Sequence, residues 1–159
     1  MLIKHKIIPH LWFDDNAEAA VNFYVSLFDN SRIGKVARYG DAGPGPKGSV
    51  MSIGFELNGQ EFAAVNGGPM FKFSEAVSFL IWCDTQDEID ALWGKLTDGG
   101  TPQQCGWLKD RFGLVWQVNY AGMPGMLSGN DAAANRVMQA MMTMKKIEIQ
   151  PLNDAFAGK

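Results

Sequence analysis

The chain has 159 residues, 47% hydrophobic and 19% charged, with a formal net charge of -3. That composition belongs to one small folded domain, or two halves sharing a core, and excludes a disordered chain. The longest basic run is Lys145-Lys146, which argues against the clustered phosphate contacts that nucleic acid demands.

No stretch is long enough to cross a bilayer, and the first residues carry no apolar signal-like core. With no such signal, Cys83 and Cys105 are expected as free thiols in a reducing compartment, and the cytoplasm as the address. Ile7 to Phe13 is apolar on both faces apart from His10, a pattern that predicts a strand buried on two sides. Asp14, Asp15 and Asn16 stop it and offer an N-cap, with Glu18 placed for the helix dipole. Ala20, Phe23, Tyr24, Leu27 and Phe28 then recur at helical spacing. Arg32 to Tyr39 alternates as a strand, and residues 40–48 are a Gly- and Pro-rich loop. Ser49 to Leu57 and Gln60 to Asn66 predict a hairpin through Asn58-Gly59.

About 70 residues later the same layout returns, with Trp82 answering to Trp12. A strand is expected at Ala76 to Cys83, a helix at Asp87 to Leu96 and a short strand within Thr101 to Trp107. A turn at Asp110 to Gly113 leads to a closing strand, Leu114 to Tyr120. The chain therefore reads as two βαβββ modules within residues 1–125, about 5–68 and 75–121. A helical extension follows at 126–159, with a Met-rich helix from Ala132 to Lys145 and a last turn opened by Pro151.

Paired βαβββ modules closing on Asp110-Arg-Phe-Gly-Leu-Val-Trp-Gln-Val118 resemble the vicinal oxygen chelate superfamily of glyoxalase I, extradiol dioxygenases, and fosfomycin and bleomycin resistance proteins. Arg38 to Val50, Phe55 to Phe62, Asn66-Gly-Gly-Pro69 and Gln104 to Lys109 are similar to its PhnB-like branch, often labelled 3-demethylubiquinone-9 3-methyltransferase. The resemblance implies an α+β fold in which each module forms half of an incomplete barrel, a ligand trough and a homodimer. It also implies four inward-facing His, Glu or Gln side chains around a divalent metal. In this chain those slots map to Ile8, Ala64 or Asn66, Ser78 and Gln117. Ile8 and Ala64 cannot ligate, and Ser78 and Gln117 are weak ligands, so no metal cofactor is expected. Methyl transfer from S-adenosylmethionine commonly uses a Gly-rich turn between a strand and a helix, whereas residues 43–48 precede a strand.

Candidate roles follow from residue chemistry and the mapped trough. His10 is the candidate general base, and Trp12, Phe62, Trp82 and Trp107 a candidate aromatic box. Asn66, Ser78 and Gln117 are polar groups able to orient a carbonyl or hydroxyl. Cys105, in a Gly-flanked loop, is a further lining candidate without a companion base. Trp93 and Trp116 are assigned to the core. The expected function is metal-free binding of a small amphipathic or aromatic molecule. The alternatives are a lyase, isomerase or transferase built on His10, Asn66 and Gln117, or a purely structural dimer module.

Overall fold

Where the sequence alternates, strands form, and the computed structural model, which describes residues 4–159, gives each module the same strand order. The chain divides between Lys72 and Phe73 into two compact units. The first contains β1 (His10–Phe13), α1 (Ala17–Val25), β2 (Arg32–Arg38), β3 (Val50–Leu57) and β4 (Gln60–Asn66) in one mixed sheet of order β1-β4-β3-β2. The second contains β5 (Phe79–Cys83), α2 (Gln86–Thr97), β6 (Thr101–Pro102), β7 (Trp107–Lys109) and β8 (Val115–Tyr120) in the order β5-β8-β7-β6. Both first strands lie parallel to the last, and the remaining pairings are antiparallel. The two βαβββ modules are thus topologically identical.

In the first unit, Leu11, Phe13, Ile53, Phe55, Phe62 and Ala64 are buried, as are Ala17, Ala20, Val21 and Tyr24 of α1. A fully buried Ile or Val of this kind contributes about 1.5–3 kcal/mol of apolar transfer. The first strand is shorter than its apolar run suggested: Ile7 lies outside it and is 90% exposed. Only one face of β1 is deeply buried, because alternation turns His10 and Trp12 away from Leu11 and Phe13. Asn58 and Gly59 adopt φ of 47° and 80°, the left-handed pair that a two-residue hairpin needs.

The expected single strand between Thr101 and Trp107 is two strands joined by a turn. Cys105 and Gly106 take φ of 58° and 80°, and their N–H groups donate to the Met144 and Lys145 carbonyls at 2.8 and 2.7 Å. A cysteine is not a turn-forming residue, so the sequence does not announce this hairpin. Thr85 caps α2, its hydroxyl accepting from Glu88 N at 3.2 Å, while the Glu88 carboxylate accepts from Asp84 N at 2.9 Å.

The C-terminal residues form α3 (Met123–Leu127), α4 (Ala132–Met142) and α5 (Ile149–Ala157). They belong to the second compact unit. The Gln86 amide clasps the connecting segment, donating to Ile147 O and accepting from Ile149 N. Ile147 and Leu152 are fully buried. Pro151 does not open the last helix but lies in its first turn, where a missing N–H costs nothing. The buried side of α4 is Ala134 and Val137, while Met138 and Met142 are exposed.

One carboxylate organises the end of the second sheet. Asp110, only 3% exposed, accepts from Phe112 N and Leu114 N through Oδ1 and from the Trp116 indole through Oδ2 at 2.9 Å. Asp110→Ala strands these donors, so the unfolding free energy should fall by about 2–4 kcal/mol in urea titration, with an unchanged m-value.

Candidate ligand-binding site

Parallel pairing fixes which side chains share a face. His10 pairs with Ala63 and Trp12 with Val65, so these four stand on the face turned away from Leu11, Phe13 and Ala64. Antiparallel pairing carries that open face on to Ser52, Gly54 and Glu56 of β3. His10 is exposed there. Trp12 is half-buried: its indole N–H donates to Gly68 O at 2.9 Å, and its ring meets Phe71 edge-on at 5.0 Å. A Cβ at Gly67 would lie 2.2 Å from the indole, so a glycine is required beneath it.

The same register corrects the face assigned to Phe62, Ala64 and Asn66. All three point to the α1 side; Phe62 stacks on Phe55 at 5.3 Å and is 8% exposed. Asn66 accepts from Ala17 N at 2.9 Å and donates to Val50 O at 3.1 Å, while its carbonyl accepts from the Tyr39 hydroxyl at 2.6 Å. Asn66 therefore caps α1 from the neighbouring strand. Asn16, at the N-cap position, makes no side-chain cap bond. The open-face residue of β4 beside His10 is Ala63.

In the second unit the mapped face is the one observed. Trp82 and Leu80 are exposed on β5, Leu80 pairs with Gln117, and Gln117 pairs with Trp107. Gln117 Nε2 donates to Ser78 Oγ at 2.9 Å. Trp107 is half-buried. Trp116 points to the opposite face and is buried, as its assignment to the core requires, and Trp93 is half-buried on α2. Cys105 is half-buried in its turn. Cys83 is fully buried, and burial, with Glu88 and Asp84 nearby, pushes its thiol up to about 12. Lys109, on the same face as Trp107, grips Glu75 at 2.9 Å; this bond and one from Gln103 lower the Glu75 carboxyl to about 2.

A cluster that the sequence reading did not single out lies at the other end of the first unit's open face. Glu56 and Glu61 face each other directly across the Asn58-Gly59 hairpin. Like charges so placed repel, and cations answer them. Glu56 accepts from Arg32 at 2.8 Å and Lys4 at 3.2 Å, which hold its carboxyl below the usual range. Burial pushes Glu61 up, but hydrogen bonds from the His5 backbone and ring and from Lys4 N outweigh it, and the carboxyl ends lower. A cavity of about 410 Å³ opens beside this pair, with Ile8, Gly54 and Ala63 among its lining. The signal was present in sequence: a two-residue turn at Asn58-Gly59 forces Glu56 opposite Glu61.

The Gly-rich loop has a packing explanation. A Cβ on Gly45 would meet the Tyr39 ring at 2.2 Å, so the loop lies flat on that ring. It joins β2 to β3, with no helix following.

With this geometry in hand, a scan of protein families matches residues 5–119 to 3-demethylubiquinone-9 3-methyltransferase. The chain belongs to this PhnB-like family. A search of curated proteins gave no match. Among solved structures, a putative 3-demethylubiquinone-9 3-methyltransferase, PhnB protein, from Bacillus cereus is 39% identical, covering 74% of this chain and all of that one (100%), with a TM-score of 0.69. Protein PA1353 from Pseudomonas aeruginosa is 23% identical over 74% of this chain and 98% of its own, with a TM-score of 0.61. The fosfomycin resistance protein FosX from Listeria monocytogenes, complexed with Mn(II) and sulfate, is 10% identical over 80% of this chain and 98% of that one, with a TM-score of 0.53. PhnB and FosX are vicinal oxygen chelate fold members, and this PhnB-like chain shares their fold.

The positions that the resemblance maps to the superfamily's metal ligands carry side chains that are poor donors for a divalent ion: Ile8 and Ala64 are hydrocarbons, Ser78 a hydroxyl, and Asn66 and Gln117 amides. Among the described residues no three His, Cys, Asp or Glu side chains gather as a metal site, and no helix is long and apolar enough to cross a membrane.

Asn66→Ala should lower stability by about 1–3 kcal/mol, read by urea denaturation, because it uncaps α1 and removes the bond to Val50. Lys109→Met should raise the Glu75 titration midpoint, followed by carboxyl NMR, from about 2 toward the ordinary carboxylate range. The sign follows from linkage: the lowered folded-state pKa contributes stability present above the unfolded pKa and lost as pH falls through about 2. Lys109→Met should flatten that acid-side loss.

Proposed function

We propose that this PhnB-like chain is a binding protein that takes up a small amphipathic or aromatic molecule on the open faces of its sheets without a metal ion. The observation that carries the reading is the pairing of apolar or amide side chains at the superfamily's ligand slots with indoles on the same faces. Trp12 lies two residues beyond His10, and Trp82 two beyond Leu80. Trp82 is 46% exposed and Trp107 half-buried, so aromatic surface is available to a flat partner. In the second unit Ser78 and Gln117, already joined by a hydrogen bond, would orient a polar substituent, with Cys105 as a further contact; on the first unit's own face His10 would play that part.

The enzymatic alternative drew on His10, Asn66 and Gln117. Asn66 faces away from His10 and its amide is occupied by Ala17 and Val50, so the alternative keeps only part of its machinery. Methyl transfer, which the family description names, has no support from the β2–β3 loop, which packs on Tyr39.

Titration of intrinsic tryptophan fluorescence with neutral and charged bicyclic aromatics, after exhaustive chelation, should show saturable quenching. Trp82→Phe should remove a large share of it with no loss of thermal stability. A response confined to metal-loaded protein, or none with any compound, would defeat the reading.

A further inference from the structure

One glycine of the first unit is required neither by its backbone nor by its neighbours. Gly54 lies in the middle of β3 without a left-handed φ, and a Cβ built on it would meet only the Lys35 backbone, at 3.8 and 3.9 Å. Those are ordinary van der Waals contacts. A mid-strand glycine weakens the strand and often marks a place where a ligand comes close. The internal repeat offers a comparison. Gly54 pairs with Ala63, which pairs with His10; Trp107 pairs with Gln117, which pairs with Leu80. One register position therefore carries an indole in the second module and bare backbone in the first.

Above that bare backbone is the cavity of about 410 Å³, with Gly34, Gly54 and Ala63 contributing a floor almost without side chains. Its volume lies in the ordinary range for small-molecule sites. Its charges do not balance. Glu56 and Glu61 are engaged by Arg32, Lys4 and His5, whereas Lys6 and Lys35, which also line the cavity, make no ion pair among the described residues. A flat floor suits a ring, and two uncommitted ammonium groups suit an anion.

We infer that this cavity receives a planar aromatic carboxylate, its ring lying on the Gly54–Ala63 floor and its carboxylate facing Lys6 and Lys35. The inference rests on the binding reading above and narrows it to one ligand class and one unit.

The test uses the full chain, with 2-naphthoate and its neutral isostere 2-naphthamide as probes, by calorimetry and amide NMR. Naphthoate should bind more tightly than the amide by on the order of tenfold at low salt, a gap that closes as salt rises. Shifts should centre on Gly54, Ala63 and Lys35. The double substitution Lys6→Met with Lys35→Met should bring the acid down to the level of the amide. Gly54→Val should abolish binding of both probes, and Gly54→Ala should weaken it, with far-ultraviolet dichroism and melting temperature retained in each. Equal affinity for acid and amide would overturn the anion assignment and leave the general binding reading standing. Unimpaired binding to a folded Gly54→Val protein would overturn the cavity. Silence of both probes, while other neutral aromatics quench tryptophan, would overturn this site alone; silence throughout would remove both readings.

Discussion

Placing the first strand of each module parallel to its last is the constraint from which the other features follow. A parallel pair cannot be closed by a tight turn, so the chain between β1 and β4, or β5 and β8, must cross over, and it carries a helix. That helix can cover only one face of its sheet. Leu11, Phe13 and Ala64 go beneath α1; His10, Trp12, Ala63 and Val65 are left on the other side. Because alternation is strict, a side chain's place in the register decides its availability to a ligand before its chemistry does.

Polar residues then divide into those that hold the modules together and those that remain available. Asn66 and Asp110 resemble site residues by type, yet each spends its side chain on fixed partners: Asn66 on the Ala17 N–H and the Val50 carbonyl, Asp110 on two backbone N–H groups and an indole. Glu56 and Glu61 are tolerated face to face because Arg32, Lys4 and His5 surround them. Arg32 is itself held more firmly protonated by the hydrogen bond to Glu56. These charges are fixed partners of one another, which separates them chemically from Lys6 and Lys35.

The repeat was legible because Trp12 and Trp82 sit at matching places in two strand–helix patterns, and the Asn58-Gly59 turn because its residues tolerate left-handed backbone. What misled was parity. Ala64 and Asn66 occupy alternate positions on β4, and nothing local in the sequence says which alternate set lies beneath α1; only the pairing with β1 does. The β6–β7 hairpin escaped because its left-handed turn begins on Cys105, held there by bonds to residues about 40 positions away. Tertiary contact, not local propensity, shaped that turn. The same contact ties the C-terminal segment to the second module, although its helices stand outside the repeated pattern.

The two modules have diverged in opposite directions at equivalent positions. The first carries Ile8, Ala63 and Gly54, which offer shape and little else. The second carries Ser78, Gln117 and Trp107, which offer hydrogen bonds and a ring. The Gln117–Ser78 bond does not exhaust the second set, since a carboxamide with one N–H engaged keeps its oxygen and a second N–H, and the serine keeps its own proton. A pair that remains both donor and acceptor suits a neutral carbonyl or hydroxyl better than a cation, which needs several acceptors and no donors. Duplication supplied two copies of one scaffold. At the same register positions one copy carries small side chains and the other polar and aromatic ones.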